Sequence, residues 1–254
     1  MTRYKVTIEY DGKNFCGWQN QKNLLTVQGT IEKSLYKFCG KKISIFGAGR
    51  TDTGVHASGQ VAHFDLNEDS LEDQNGKLGK LTMGLNFYLS RICKNEISII
   101  ETNKVEEKFH ARFSAKGRKY KYTILNKRTA SPLLKDKTWR VPLTLNLQLM
   151  QKASTLLIGK HNFSAFRSIE CQAKSPIKTI DSIQIIKNKE LIEIYVEAKS
   201  FLMNQVRIIT GTLVEIGLNK KTEKDILMAL KSHTRNYAGV TAPPHALVLE
   251  QVIY

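Results

Sequence analysis

Arg118-Lys119-Tyr120-Lys121-Tyr122-Thr123-Ile124-Leu125 is the stretch that decides the fold. Its rings and aliphatic side chains alternate with lysines at the period of a half-buried strand. It restarts an element order that residues 4–102 have already completed. Upstream, Tyr4, Val6, Ile8 and Tyr10 alternate with Lys5, Thr7 and Glu9. Val27, Ile31, Leu35 and Phe38 then recur at helical spacing, and Gly40 stops the run. Residues 43–46 and 60–66 read as strands around a glycine-rich turn. Leu78, Leu81, Leu85 and Leu89 mark a second helix, and residues 96–102 a strand. That order is β-α-β-β-α-β. Downstream it returns. Leu147, Met150, Ala153 and Leu157 line a helix stopped by Gly159, and residues 179–186 and 191–198 form a hairpin across Lys187-Asn188-Lys189. Residues 201–216 read as a long helix, Thr222 with Asp225 caps another, and residues 247–253 form a last strand. The expected class is α+β: two ferredoxin-like β-α-β-β-α-β halves with mainly antiparallel sheets and an active-site cleft between them. The halves are residues 1–113 and 114–254.

The charge follows the same division. The chain has 254 residues, with 39 Lys and Arg against 23 Asp and Glu, a net charge of +16. Residues 1–113 hold 16 basic and 13 acidic side chains, and residues 114–254 hold 23 and 10, so the second half carries +13 of the total. A field this basic attracts polyanions, nucleic acid above all. With 41% hydrophobic and 24% charged residues, the composition excludes a disordered tail, a collagen and a coiled coil. No run approaches the ~20 apolar residues of a spanning helix. The best candidate, residues 201–218, contains Asn204, Gln205, Arg207 and Glu215. The first ten residues alternate like a strand and lack the apolar core of a signal peptide, so a cytoplasmic, membrane-free protein is expected. Cys16, Cys39, Cys93 and Cys171 are far apart, without Cys-x-x-Cys spacing, which predicts free thiols and no metal site.

The densest unusual stretch is Gly47-Ala48-Gly49-Arg50-Thr51-Asp52-Thr53-Gly54-Val55-His56-Ala57. A dinucleotide turn would need glycine where Asp52 stands, and a carboxylate there would repel a pyrophosphate. A plain turn accounts for Asp52-Thr53-Gly54 but not for Arg50 beside Asp52. A tight loop presenting a carboxylate near a guanidinium suits an oriented, ionised acid. Such a group can act as a nucleophile or stabilise a cationic sugar.

This loop closely resembles the GRTDAGVHA motif of the tRNA pseudouridine synthase A family. The resemblance runs along nearly the whole chain. It includes Asp11-Gly12, Phe15-Cys16-Gly17-Trp18-Gln19-Asn20-Gln21 and Thr26-Val27-Gln28-Gly29. Phe109-His110-Ala111-Arg112-Phe113-Ser114-Ala115, Arg118 to Tyr122, and His161-Asn162-Phe163-Ser164-Ala165-Phe166 match in the middle. Phe201-Leu202-Met203-Asn204-Gln205-Val206-Arg207 and Thr241-Ala242-Pro243-Pro244 complete the order. The resemblance implies an isomerase that converts uridine to pseudouridine at positions 38, 39 and 40 of the tRNA anticodon stem-loop. It also implies a homodimer that uses neither metal nor cofactor. The family's catalytic aspartate maps onto Asp52, its active-site tyrosine onto Tyr120, its helix arginine onto Arg207, and the apolar residue under the base onto Leu247. Thr53 stands where the family usually has Ala, Ser90 where it has Pro, and Ala246 where it has Gly. Residues 91–95 look like a short insertion.

The chemistry is consistent with these residue types. The reaction breaks N1–C1′, joins C5 to C1′ and moves the C5 proton, so it requires no redox partner. The base must leave its stack, and the Tyr120 ring offers it a flat partner. Arg207, on an apolar helix, needs an anion, and Asp52 is the expected one. Arg50 is placed to bind substrate. Gly17-Trp18-Gln19-Asn20-Gln21 is polar and loop-like, which predicts RNA contacts by Trp18 and Gln19. Arg118, Lys119 and Lys121, with Lys116, Lys127 and Arg128, flank Tyr120 and are expected on phosphates, which position without specifying. His56 and His63 read as structural. Two other classes compete: a methyltransferase, for which no intact glycine fingerprint exists, and a basic RNA-binding protein in which Asp52 is replaceable.

Overall fold

The computed structural model describes residues 1–67 and 77–254, with the side chains of residues 77 and 78 outside that description, Leu78 of the expected helix face included. The chain forms two compact units: Met1–Lys116 with Leu249–Tyr254, and Gly117–Val248.

In the first unit, β1 (Thr2–Tyr10) buries Tyr4, Val6, Ile8 and Tyr10, as its alternation dictates. It lies between β3 (His56–Leu66) and β4 (Ile97–Val105), antiparallel to both. A two-residue strand, β2 (Phe46–Gly47), pairs with β3, and β10 (Leu247–Ile253) extends the order to β4-β1-β3-β10. Residues 43–45 carry no strand, because pairing with β3 begins only at Phe46 opposite His63. Helix α1 (Val27–Cys39) begins where the Thr26 hydroxyl accepts from the Gly29 amide, and ends at Gly40 with φ 69°. Val27, Ile31 and Leu35 are fully buried. Helix α2 (Lys77–Cys93) buries Leu81, Leu85 and Leu89 and is pinned to α1 by Ser34 Oγ on the Leu85 carbonyl. The helix runs through residues 91–93 and stops at Lys94 and Asn95, both with positive φ.

In the second unit, β5 (Gly117–Leu125) pairs antiparallel with β9 (Leu191–Ala198) in unbroken register, and β8 (Ile177–Asn188) and β7 (Gly159–Asn162) follow. The short β6 (Trp139–Arg140) runs parallel to β5, a pairing its two residues do not announce. Helix α3 (Leu147–Thr155) is capped by Asn146, and α5 (Glu223–Ser232) by the expected capping box, in which the Asp225 carboxylate accepts from the Thr222 amide at 2.7 Å. Helix α4 (Gln205–Gly217) starts four residues later than the apolar run suggests. Asn204 sits at φ 62°, in the left-handed region that a right-handed helix cannot include. No helix among the described residues is long and apolar enough to cross a membrane.

Candidate active site

The loop after β2 is held from below by the unit's core. Ala48 donates to the Val61 carbonyl at 2.7 Å, the Gln60 side chain to the Gly49 carbonyl at 3.0 Å, and Val55 to the Asp52 carbonyl at 3.1 Å. The Thr51 hydroxyl bonds the Tyr10 hydroxyl at 2.8 Å, and burial pushes the Tyr10 phenol well above its ordinary pKa, so it stays protonated. The Thr51 carbonyl accepts from the Trp18 amide at 3.1 Å. Two glycines let backbone approach backbone here. A Cβ on Gly12 would lie 2.0 Å from the Val55 oxygen, and one on Gly17, at φ +80°, 2.7 Å from the Thr51 oxygen. The outcome is a half-buried Asp52 on a backbone fixed on both sides. Arg50 is exposed, its Nε donating to the Gln19 side chain at 3.0 Å, so the loop brings those two expected residues together. His56 is 3% exposed and its Nδ1 accepts from the Gly12 amide, a structural role as expected.

Trp18 is not placed as its polar surroundings suggest. Its side chain is 2% exposed, 6.2 Å from the Tyr10 ring and pressed against Gly47. It supports the loop from inside rather than offering a face to RNA.

In the second unit, Tyr120 is nearly buried on β5, with the edge of its ring toward Phe201 at 5.3 Å. Leu247 is 5% exposed at the start of β10, after a short 3-10 turn, Pro244–Ala246. Ala246 has no positive φ, so no glycine is needed there. Arg207 is half-buried, not desolvated as its apolar neighbours imply. Its Nε donates to the Ala242 carbonyl and its Nη1 to the Asn204 side chain, both at 2.7 Å. The Ala242 amide in turn bonds the Arg207 carbonyl, and the Tyr122 hydroxyl bonds the Pro243 carbonyl at 2.8 Å. Sequence reasoning missed Asn204, whose left-handed backbone and acceptor both serve Arg207. The signal was an asparagine directly before a helical run.

Strand geometry corrects the basic cluster. Residues two apart share a face, so Lys119 and Lys121 lie opposite Tyr120, not beside it. Lys119 sits over the Tyr195 ring at 4.8 Å, and Lys121 is 3.8 Å from Glu193. Arg118 shares the Tyr120 face but is 8% exposed and donates to the Lys199 carbonyl.

The sequence model of the tRNA pseudouridine synthase family matches residues 6–114 and 153–254. The chain belongs to that family. The tRNA pseudouridine synthase A of Wolbachia pipientis subsp. Culex pipiens (strain wPip) is 45% identical over 253 residues, covering 99% of this chain and all of the relative. The enzyme of the same name from Anaplasma phagocytophilum (strain HZ) is 46% identical over 257 residues, and that from Bartonella henselae (strain ATCC 49882 / DSM 28221 / CCUG 30454 / Houston 1) 42% over 254, each covered completely. Membership of the tRNA pseudouridine synthases makes this chain an isomerase acting on uridine in tRNA.

Proposed function

We propose that this isomerase forms pseudouridine at positions 38, 39 and 40 of the anticodon stem-loop, with Asp52 as its catalytic carboxylate. The observation that carries this is the fixing of the residue 47–55 backbone by glycine contacts and buried hydrogen bonds, which presents one carboxylate without freedom to drift. The N1–C1′ bond breaks, C5 bonds C1′, and the C5 proton leaves while N1 gains one. Asp52 serves as nucleophile or as stabiliser of the cationic sugar. Tyr120 stacks on the released uracil and faces C5 with its hydroxyl, Leu247 supports the base, and Arg50 and Arg207 bind the substrate's anionic groups. Gln19, beside Arg50, contacts RNA. We further infer two ferredoxin-like halves, the first (residues 1–113) carrying the carboxylate and the second (residues 114–254) the ring, Arg207 and most of the positive charge. The same reading places the enzyme in the cytoplasm as a homodimer.

Asp52→Asn tests the assignment. The change is nearly isosteric and removes nucleophile and charge together. Pseudouridine formation on unmodified tRNA, mapped by mass, should fall below detection while tRNA affinity stays within a few-fold. Turnover within tenfold of the unaltered protein would remove Asp52 from the chemistry.

A further inference from the structure

Phe109-His110-Ala111-Arg112-Phe113-Ser114-Ala115 has no part in the reaction as drawn, yet it builds an unusual surface. Phe113 is 75% exposed and Phe46 is 53% exposed. The two are parts of one ladder. The Phe113 ring lies 4.4 Å from His110 at 37°, and His110 lies 6.2 Å from Phe46. Phe46 stacks on the buried His63 ring at 5.2 Å and 25°, and His63 lies 4.6 Å from His110.

The ladder is rigid. The amides of Arg112 and Phe113 both donate to His110 Nδ1, at 3.1 and 3.4 Å, and Ser114 returns to the His110 carbonyl at 2.9 Å. The Ala111 amide donates to His63 Nδ1 at 3.2 Å, which ties the turn to β3. Both imidazoles are held neutral. Burial and the neighbouring His110 bring His63 down to about 4, and burial with Arg3 and Arg112 lowers His110. Neutral rings do not repel cations, and the Arg112 guanidinium sits 5.7 Å from the Phe113 ring.

Exposed apolar surface ordered this well marks a contact site. The shape of this one selects the partner. It presents the rings of Phe46, His110 and Phe113. Exposed Arg112 borders it, which favours a polyanion. It also continues into the catalytic loop, because Phe46 opens β2 and Asp52 lies six residues on, within about 20 Å along the chain. Aromatic faces beside cations are the means by which proteins hold unstacked RNA bases.

We propose that Phe46, His110 and Phe113 form a stacking platform for an unpaired base of the tRNA substrate, flanking the uridine that reacts, with Arg112 on the adjoining phosphate. The proposal rests on tRNA being the substrate and is independent of which residue performs the chemistry.

Unmodified tRNA transcript is the probe, and Kd is measured over a salt series. Phe113→Ala should weaken binding about 5- to 150-fold, the equivalent of one lost stack. Phe113→Tyr should bind within about twofold. The slope of log K against log salt should not move in Phe113→Ala, because no phosphate contact is lost. Arg112→Gln should reduce that slope by about 0.7 to 0.9. Phe113 is mostly outside the core, so thermal melting should register no large loss. Unchanged Kd in both Phe113→Ala and Phe46→Ala would overturn the platform. So would affinity loss that tracks a change of oligomeric state in sedimentation, which would assign this face to a second copy. Inactivity of Asp52 variants, or its absence, leaves these binding measurements intact, so failure of the catalytic assignment is read separately.

Discussion

Replacing Gly47 by alanine should damage the Asp52 loop, proposed above as catalytic, from beneath. A Cβ there would lie 2.6 Å from Cε2 and Nε1 of the Trp18 indole and 2.7 Å from Cζ2. Real Cβ atoms do not come that close, and the ring, 2% exposed, has no solvent to retreat into. The φ of Gly47 is not positive, so alanine meets no backbone strain and the collision is the whole native-state cost. Overpacking of this kind costs roughly 1–3 kcal/mol. Reduced unfolded-state entropy returns about 0.4–1 kcal/mol, leaving a net loss of up to about 2.6 kcal/mol. Asp52 lies five residues downstream, and a displacement near 1 Å should lower turnover on the order of 100-fold. Trp18→Phe removes the outer six-membered ring of the indole, Cζ2 included, and leaves a smaller ring with room to shift off the methyl. Alone it should cost about 1–2 kcal/mol, as a large-to-small core change below the ~3–5 kcal/mol of full truncation. Combined with Gly47→Ala, it should recover roughly 1 kcal/mol relative to the sum of the single changes, and part of the turnover. Urea unfolding of the four proteins measures the coupling, and tRNA affinity of Trp18→Phe should stay within twofold. Additive losses would show that the two residues do not press on each other. A large affinity loss in Trp18→Phe with normal stability would return Trp18 to the RNA surface and refute its role as an internal prop.

Tyr120→Phe should keep the edge contact with Phe201 and native stability but slow proton loss at C5, while Tyr120→Leu should lose stacking as well; tritium release from 5-labelled uridine in tRNA follows the step. Arg207→Met removes two charge-assisted bonds, to the Ala242 carbonyl and Asn204, and should cost about 2–4 kcal/mol in urea together with most activity, with Arg207→Lys restoring part because an ammonium has no fork. His63 is held neutral when folded, down to about pH 4, but titrates near its ordinary 6.5 when unfolded. The unfolded chain therefore binds the extra proton in that window, and stability rises with pH from about 4 to 6.5 and is lost on acidification. His63→Gln should flatten that limb in unfolding measurements between pH 4 and 7.

What the sequence determined by itself is what rests on neighbours in the chain. Alternation in residues 4–10 and 118–125 placed two strands because side chains two apart share a face. Thr26, Gly40 and the Thr222–Asp225 pair marked helix ends because caps act within one turn. The turn around Asp52 was legible from residue type and order, since Gly47, Gly49 and Gly54 stand within eight positions. Tertiary structure decided whatever depends on residues far apart. Trp18 looked solvent-facing among polar neighbours until the fold set Gly47 and Tyr10 against it. The bonds that hold Arg207 to the Ala242 carbonyl, 35 positions on, and to the side chain of a left-handed Asn204 have no mark in the residues beside it. The exposed ladder of Phe46, His110 and Phe113 joins segments more than sixty residues apart. Such pairings are set by the packing of whole elements, which removes or restores solvent at a side chain regardless of the residues beside it in the chain.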